Sequence, residues 1–186
     1  MDAKPQLISS TPRFSGRVFR VRTDELRYSD GETHAVDVVE HGPSAAIIAI
    51  TDADEIVLVR QYRHPLGREF WEIPAGRGEP GEDVAVTAAR ELAEETGYRA
   101  AAMRSLGGVA MTPGFCDEVI HFFQASALST GEQSLDQDER ITVESFSLKR
   151  AQRLVETGQI ADAKTIIALQ WFAGKRAELV PRRADN

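Results

Sequence analysis

The amino-acid sequence predicts an α+β domain, on three observations. Residues 14–73 hold short apolar or alternating runs divided by turn residues, which is how strands read. Residues 82–96 run without glycine or proline and carry Ala85, Ala88, Ala89 and Leu92 at helical spacing. Beyond Gly97 the chain returns to strand-like runs and closes on two helical patterns.

Taken in order, Met1 to Pro12 show no periodicity and read as a loose tail. Val18-Phe19-Arg20-Val21-Arg22 partly alternates, Ser29-Asp30-Gly31 signals a turn, and Thr33–Glu40 alternates again. Residues 1–43 are therefore expected to form an N-terminal extension built on an antiparallel β-hairpin. Ala45–Ile50 and Ile56–Val59 read as two buried strands around a Thr51–Asp54 turn. Phe70–Ile73 is a short strand stopped by Pro74-Ala75-Gly76. The helix of residues 82–96 ends at Gly97, where a C-cap glycine belongs. Val109–Met111 and Val119–Ala125 read as strands around a Thr112-Pro113-Gly114 turn. Ser126–Glu139 is polar and acidic and reads as a mobile loop, and Ile141–Leu148 as a strand. Ala151, Leu154 and Val155 mark a helix ended by Gly158. Asp162 caps a last helix that Gly174 should follow. Residues 44–180 are read as one domain and 181–186 as a loose tail.

Composition narrows the function classes. The 186 residues suit one domain that needs no staples. The net charge of −7, from 22 basic and 29 acidic residues, argues against a nucleic-acid partner. Cys116 stands alone, so no intrachain disulfide forms and a reducing, cytoplasmic setting is expected. The first residues lack the apolar core of a signal peptide, and Ala45–Ile50 is too short to span a bilayer, so no membrane partner is expected.

The helix of residues 82–96 carries the chemistry. Glu91 lies i,i+3 from Glu94 and i,i+4 from Glu95, so the three carboxylates are expected on one side, opposite the Ala/Leu face. Like charges so spaced cost a bare helix a few tenths of a kcal/mol per pair, which a bound cation would offset. Oxygen ligands without cysteine or paired histidine point to Mg²⁺ or Mn²⁺ rather than zinc. Arg90, i,i+4 from Glu94, could hold that carboxylate in place. On spacing alone a plain solvated face is the favoured reading, and the spacing does not overturn it.

The wider pattern is more specific. Gly76, five residues, Glu82, seven residues, then Arg90-Glu91-Leu92-Ala93-Glu94-Glu95-Thr96-Gly97-Tyr98 resembles the Nudix box, with Tyr98 where that family usually has an aliphatic residue. The resemblance covers roughly Ala45 to Phe172. It implies the Nudix fold, a mixed β-sheet sandwiched between α-helices, with the N-terminal hairpin as an addition. It further implies hydrolysis of a nucleoside diphosphate linked to another moiety.

Carried over residue by residue, the resemblance makes Glu91 and Glu95 metal ligands with the Ala75 carbonyl a third. Glu94 would bind a second metal or hold a water. Arg90 and Glu82 would orient these carboxylates, or simply form an ion pair that stabilises the fold. The resemblance puts the general base in the acidic loop Asp136–Glu139, with Glu139 the candidate and Glu118 and the box glutamates its rivals. Pro113, fifteen residues after Tyr98, and the turn Thr112-Pro113-Gly114-Phe115 resemble the ADP-ribose pyrophosphatase subfamily. So do Arg60-Gln61-Tyr62-Arg63-His64-Pro65 and Trp71-Glu72-Ile73-Pro74-Ala75-Gly76. Arg63, and less directly Arg60, are candidates to pair with phosphates, although a surface ion pair suits Arg60. In that subfamily the N-terminal extension exchanges between subunits, which implies a homodimer and places Val18 and Asp37 among candidate substrate contacts. The implied reaction is metal-dependent cleavage of ADP-ribose to AMP and ribose 5-phosphate. GDP-mannose or a UDP-sugar as substrate, or a Nudix-fold sensor that binds ADP-ribose without cleaving it, remain the alternatives.

Overall fold

The computed structural model describes residues 4–135 and 140–179. Its strands are β1 (Gln6–Ser15), β2 (Arg20–Arg27), β3 (Thr33–Glu40), β4 (Ser44–Ala49) and β5 (Glu55–Arg63), followed by β6 (Arg68–Glu72) and β7 (Ala75–Arg77). Helix α1 (Val84–Thr96) precedes β8 (Tyr98–Ala110), β9 (Val119–Thr130) and β10 (Ile141–Ser147), and α2 (Leu148–Glu156) and α3 (Ala163–Leu179) close the chain. No helix among the described residues is long and apolar enough to cross a membrane.

The fold is α+β, as expected, and β4 shows why. Its six residues are all buried, so both faces are covered. Ala45, Ile47 and Ala49 pack with Ala88 and Leu92 of α1. Ala46 and Ile48 point the other way, into a cluster with Phe146, Ala151, Ala168 and Leu169 that involves α2 and α3. A strand buried on both faces reads as a continuous apolar run, which is what the sequence has there. β4 sits inside a mixed sheet of order β7-β4-β9-β8, parallel to β9 and antiparallel to β7. A second sheet, β10-β5-β6, is antiparallel.

Helix α1 starts at Asp83, whose carboxylate accepts from the Ala85 N–H at 2.8 Å, and ends at Gly97. Gly97 is left-handed at φ 73°, and a Cβ there would lie 2.9 Å from the Gly131 carbonyl oxygen. Glycine is therefore required twice, for backbone conformation and for space.

Several elements depart from the sequence reading. The tail expected before Pro12 contains most of β1, which pairs with β2 throughout its length. Every β1 residue is exposed, so it has no core face to impose an alternation; only the ladder to β2 defines it. The extension is thus a three-stranded antiparallel sheet rather than a hairpin. Strand β9 runs to Thr130, five residues into the expected loop, because β8 begins at Tyr98 and pairs with it all the way. Most of β8 was illegible because its small alanines and glycines blur the alternation and a register shift between Ser105 and Gly107 interrupts it. Gly174 lies inside α3, not past it.

Replacing Gly97 with alanine is expected to lower the unfolding free energy by about 1–2 kcal/mol through the left-handed backbone alone, more if the 131–133 segment cannot yield. Urea denaturation of the purified chain checks this.

Candidate active site

Strand β7 pairs with β4 in register Ala46↔Ala75, Ala45↔Gly76 and Ser44↔Arg77, which anchors the glycine end of the box on the central sheet. Helix α1 packs against β7 with its carboxylates. Glu95 follows Ala88 and Leu92 along the buried stripe and is only 3% exposed. The three glutamates therefore do not all lie opposite the apolar face: Glu95 belongs to it, and Glu91 and Glu94 border it, half-buried. Glu95 tolerates burial because its Oε2 accepts from the Ala75 N–H at 3.0 Å. Glu91 presses on the backbone of Gly76, where a Cβ would overlap its carboxylate. That close approach explains the glycine.

Arg90 binds the loop to the helix. Its Nη1 donates to Glu91 and to Glu94, each at 2.8 Å. Its Nε and Nη2 reach the two Glu82 oxygens at 3.2 and 3.1 Å, and Nη2 also reaches the Arg77 carbonyl. Glu82 accepts in addition from the Glu79 N–H at 3.0 Å and the Thr87 hydroxyl at 2.9 Å. The Arg90 hydrogen bonds first, then the backbone N–H, pull the Glu82 carboxyl down to about 2. The same bonds push the Arg90 guanidinium well above its ordinary value.

The donor chemistry fits a divalent cation. Glu91, Glu94, Glu95 and the Ala75 carbonyl are hard oxygens, of which Glu91 and Glu95 lie against β7 at Gly76 and Ala75, and Gly76 leaves room for Glu91 where any side chain would close it. Among the described residues no three His, Cys, Asp or Glu side chains already converge as a finished ligand set. Arg90 holds two of the glutamates instead.

A cavity of about 360 Å³ opens beside β7, with Ala75, Gly76, Arg63, Glu118, His41 and Ser44 on its walls. Glu118 is placed by Ser44, whose hydroxyl donates at 3.0 Å, and stands 3.4 Å from His41 Nδ1. Arg63 lines this cavity while gripping Glu72 with two hydrogen bonds of 2.8 and 2.7 Å. Arg60 does not line it: the guanidinium lies 5.6 Å over the Trp71 ring and 3.6 Å from Glu69, the surface ion pair that suited it. Pro113 sits in an exposed turn closed by the Phe115 and Cys116 N–H groups on the Thr112 carbonyl. β3 grips that turn from below, through Val39 N–H to Phe115 at 2.7 Å and Asp117 N–H to Val39 at 3.1 Å. Asp37 is exposed and accepts from Thr23 at 2.7 Å. Val18 is exposed, and its carbonyl accepts from Arg77, next to Gly76. Glu139 lies outside the described residues. The irregular segment of residues 131–135 is tethered to α1, with Ser134 N–H on the Glu94 carbonyl at 3.0 Å and the Gln133 amide on that of Glu95.

Sequence reasoning missed the partners: Glu72, Lys164, His41 and Ser44. Lys164 is 92 residues from Glu72 and Ser44 is 74 from Glu118, so no local spacing announces them, while Glu72 is nine residues from Arg63 and meets it only through the pairing of β5 with β6.

Residues 40–169 match the family model of the NUDIX domain, and the chain belongs to that family. It is 44% identical over 161 residues to a methanol dehydrogenase activator of Bacillus methanolicus, covering 86% of this chain and 87% of that one. It is 40% identical over 166 residues to an ADP-ribose pyrophosphatase of Bacillus subtilis (strain 168), covering 88% and 90%. A crystal structure of an ADP compounds hydrolase superposes with a TM-score of 0.82 over 94% of this chain and 97% of that one, at 24% identity, a likeness of fold.

The depressed Glu82 carboxyl sets a pH dependence. Its ordinary value is 4.5 and its folded value about 2, so the stability it contributes is fully present above pH 4.5 and is lost as pH falls through 2. The stability difference between wild type and Glu82→Gln should therefore be largest near pH 6 and shrink progressively toward pH 2 in denaturant titrations. An equal difference at pH 6 and pH 2.5 would contradict the assignment.

Proposed function

We propose that this Nudix hydrolase cleaves the pyrophosphate bond of ADP-ribose, giving AMP and ribose 5-phosphate, with Mg²⁺ or Mn²⁺. The observation that carries the reading is the complete box, Gly76 to Tyr98, folded with Glu91 seated on Gly76 and Glu95 on Ala75. The identity to the Bacillus subtilis ADP-ribose pyrophosphatase over nearly the full chain supports the choice of substrate.

In this reading Glu91, Glu95 and the Ala75 carbonyl hold the cation, and Glu94 holds a second cation or a water. A bound divalent cation neutralises phosphate oxygens, polarises phosphorus and sharpens water as a nucleophile. Arg90 holds Glu91 and Glu94 together, and Glu82 keeps Arg90 in place. Arg63 offers its guanidinium to the substrate's phosphates from the wall of the cavity. Pro113 shapes the turn above it, and Arg60 contributes at most long-range charge.

The attacking water must lose a proton, and Glu139 takes it. The tether of residues 131–134 to the end of α1 supports a loop that starts close to the metal-binding helix. Glu118, held by Ser44 in the cavity, is the rival base.

The chain works as a cytoplasmic homodimer in this reading, without a nucleic-acid or membrane partner. The N-terminal sheet leaves Leu7, Ile8, Phe14, Val18 and Phe19 at 40–55% exposure, apolar surface of the kind that an exchanged partner sheet would cover. Val18 and Asp37 would then border the adenosine end of the substrate.

Purified protein offered ADP-ribose, GDP-mannose and UDP-glucose with and without metal decides the substrate, because the released nucleotide names the base. Metal-dependent AMP from ADP-ribose is expected; a failure to release it would overturn the reading. Tight ADP-ribose binding without turnover would favour the sensor instead. Glu95→Gln should lower kcat/KM by about 100-fold or more, with far-ultraviolet circular dichroism unchanged. Glu139→Gln should lower kcat with little change in the metal concentration needed. Should it leave kcat intact while Glu118→Gln lowers it, the base is Glu118.

A further inference from the structure

Arg63 belongs to a charged cluster that the Nudix box does not include, and Asp162 and Lys164 of that cluster line the same cavity. Arg63 Nε and Nη2 donate to the two oxygens of Glu72, which is 2% exposed. Glu72 Oε2 also accepts from Nζ of Lys164, in the first turn of α3 and itself 9% exposed. That same Nζ lies 3.0 Å from Asp162. The other Asp162 oxygen accepts from the N–H and hydroxyl of Thr165, at 3.0 and 2.6 Å. Thr165 Oγ1 in turn accepts from the Ile73 N–H at 2.9 Å, so α3 is pinned to the chain just past β6.

We propose that Lys164 is a positioning residue for the phosphate-facing arginine: it holds Glu72, and through Glu72 it fixes Arg63 at the cavity wall beside Ala75 and Gly76. The inference rests on the reading that the substrate's diphosphate enters that cavity.

Two physical arguments carry it. A free arginine side chain samples many rotamers, whereas a two-point grip on a carboxylate fixes the guanidinium plane before a ligand arrives. The grip needs a carboxylate in a dry place, and a buried carboxylate held by one partly exposed cation is poorly compensated. Lys164 supplies the second cation. Charge is the other argument. Arg63 and Lys164 balance Glu72 and Asp162. Without Lys164 this wall of the cavity becomes net negative and repels an anionic substrate.

The test is steady-state hydrolysis of ADP-ribose by the full chain with saturating metal. Lys164→Met should raise KM by about tenfold with kcat within about twofold of wild type, as expected for losing hold of one charged hydrogen-bond donor. Lys164→Arg should return KM to within about threefold of wild type. The double variant Glu72→Gln/Lys164→Met removes both buried charges together and keeps the protein foldable even where the single variant is not. Its KM should remain raised although its thermal midpoint recovers. A wild-type KM in the double variant would overturn the inference. So would a kcat loss at unchanged KM in Lys164→Met, or a Lys164→Arg variant no better than Lys164→Met. A wild type that leaves ADP-ribose intact overturns the substrate reading instead. The Lys164 inference is then decided by the same comparison on affinity for inorganic pyrophosphate.

Discussion

One hydrogen bond sets the geometry on which the rest depends: the Ala75 N–H donating to the buried carboxylate of Glu95. It joins the strand that carries the box glycine to the last turn of the helix that carries its glutamates. A carboxylate only 3% exposed is costly unless its oxygens are occupied. Burial therefore enforces the contact rather than merely permitting it. With Glu95 fixed, the helical spacing sets Glu91 one turn back, directly over Gly76, and brings Glu94 within reach of Arg90. Glycine at 76 and glutamate at 91 are thus one requirement seen from two ends.

Arg90 resolves an electrostatic conflict. Four carboxylates, Glu82, Glu91, Glu94 and Glu95, lie in one small region, and three of them touch this single guanidinium. Its five donors make it suited to that role where a lysine ammonium would not reach as many partners. The arginine lets the chain fold with these acidic residues close together. The net charge of −7 is in this way partly local, concentrated around the glutamates that Arg90 holds.

Charge is balanced inside the fold a second time, at Glu72. Burial pushes the Glu72 carboxyl up, but Arg63 and Lys164 outweigh it and hold the group below its ordinary value, hence charged. The two clusters are built in opposite ways, one arginine of α1 holding three glutamates and two cations holding one glutamate at the end of β6. β3 completes the frame by hydrogen-bonding to the turn of Pro113 through Val39. Its end supplies His41 beside Glu118, so the N-terminal sheet is coupled to the cavity through the backbone of its own chain.

By itself the sequence determined what depends on neighbours along the chain. The α1 helix with its Gly97 end, the buried β4 run, and the glutamate spacing of the box all follow from local periodicity and capping, and all stand in the structure, whereas the Asp83 cap that starts α1 one residue past the expected Glu82 shows only in the fold. Tertiary structure alone decided what depends on residues remote in sequence. Strand β1 exists only through its ladder to β2, and most of β8 only through β9, since neither carries a clean alternation of its own. That Glu95 is buried while Glu94 is not follows from where β7 runs, and helical spacing cannot report it. That Arg63 faces a cavity while Arg60 lies on Trp71 follows from strand alternation read against a core that only the assembled sheets define. Lys164 is 92 residues from the Glu72 it neutralises. No pattern within a helix or strand encodes such a pair, because its energy arises only when both groups leave water together.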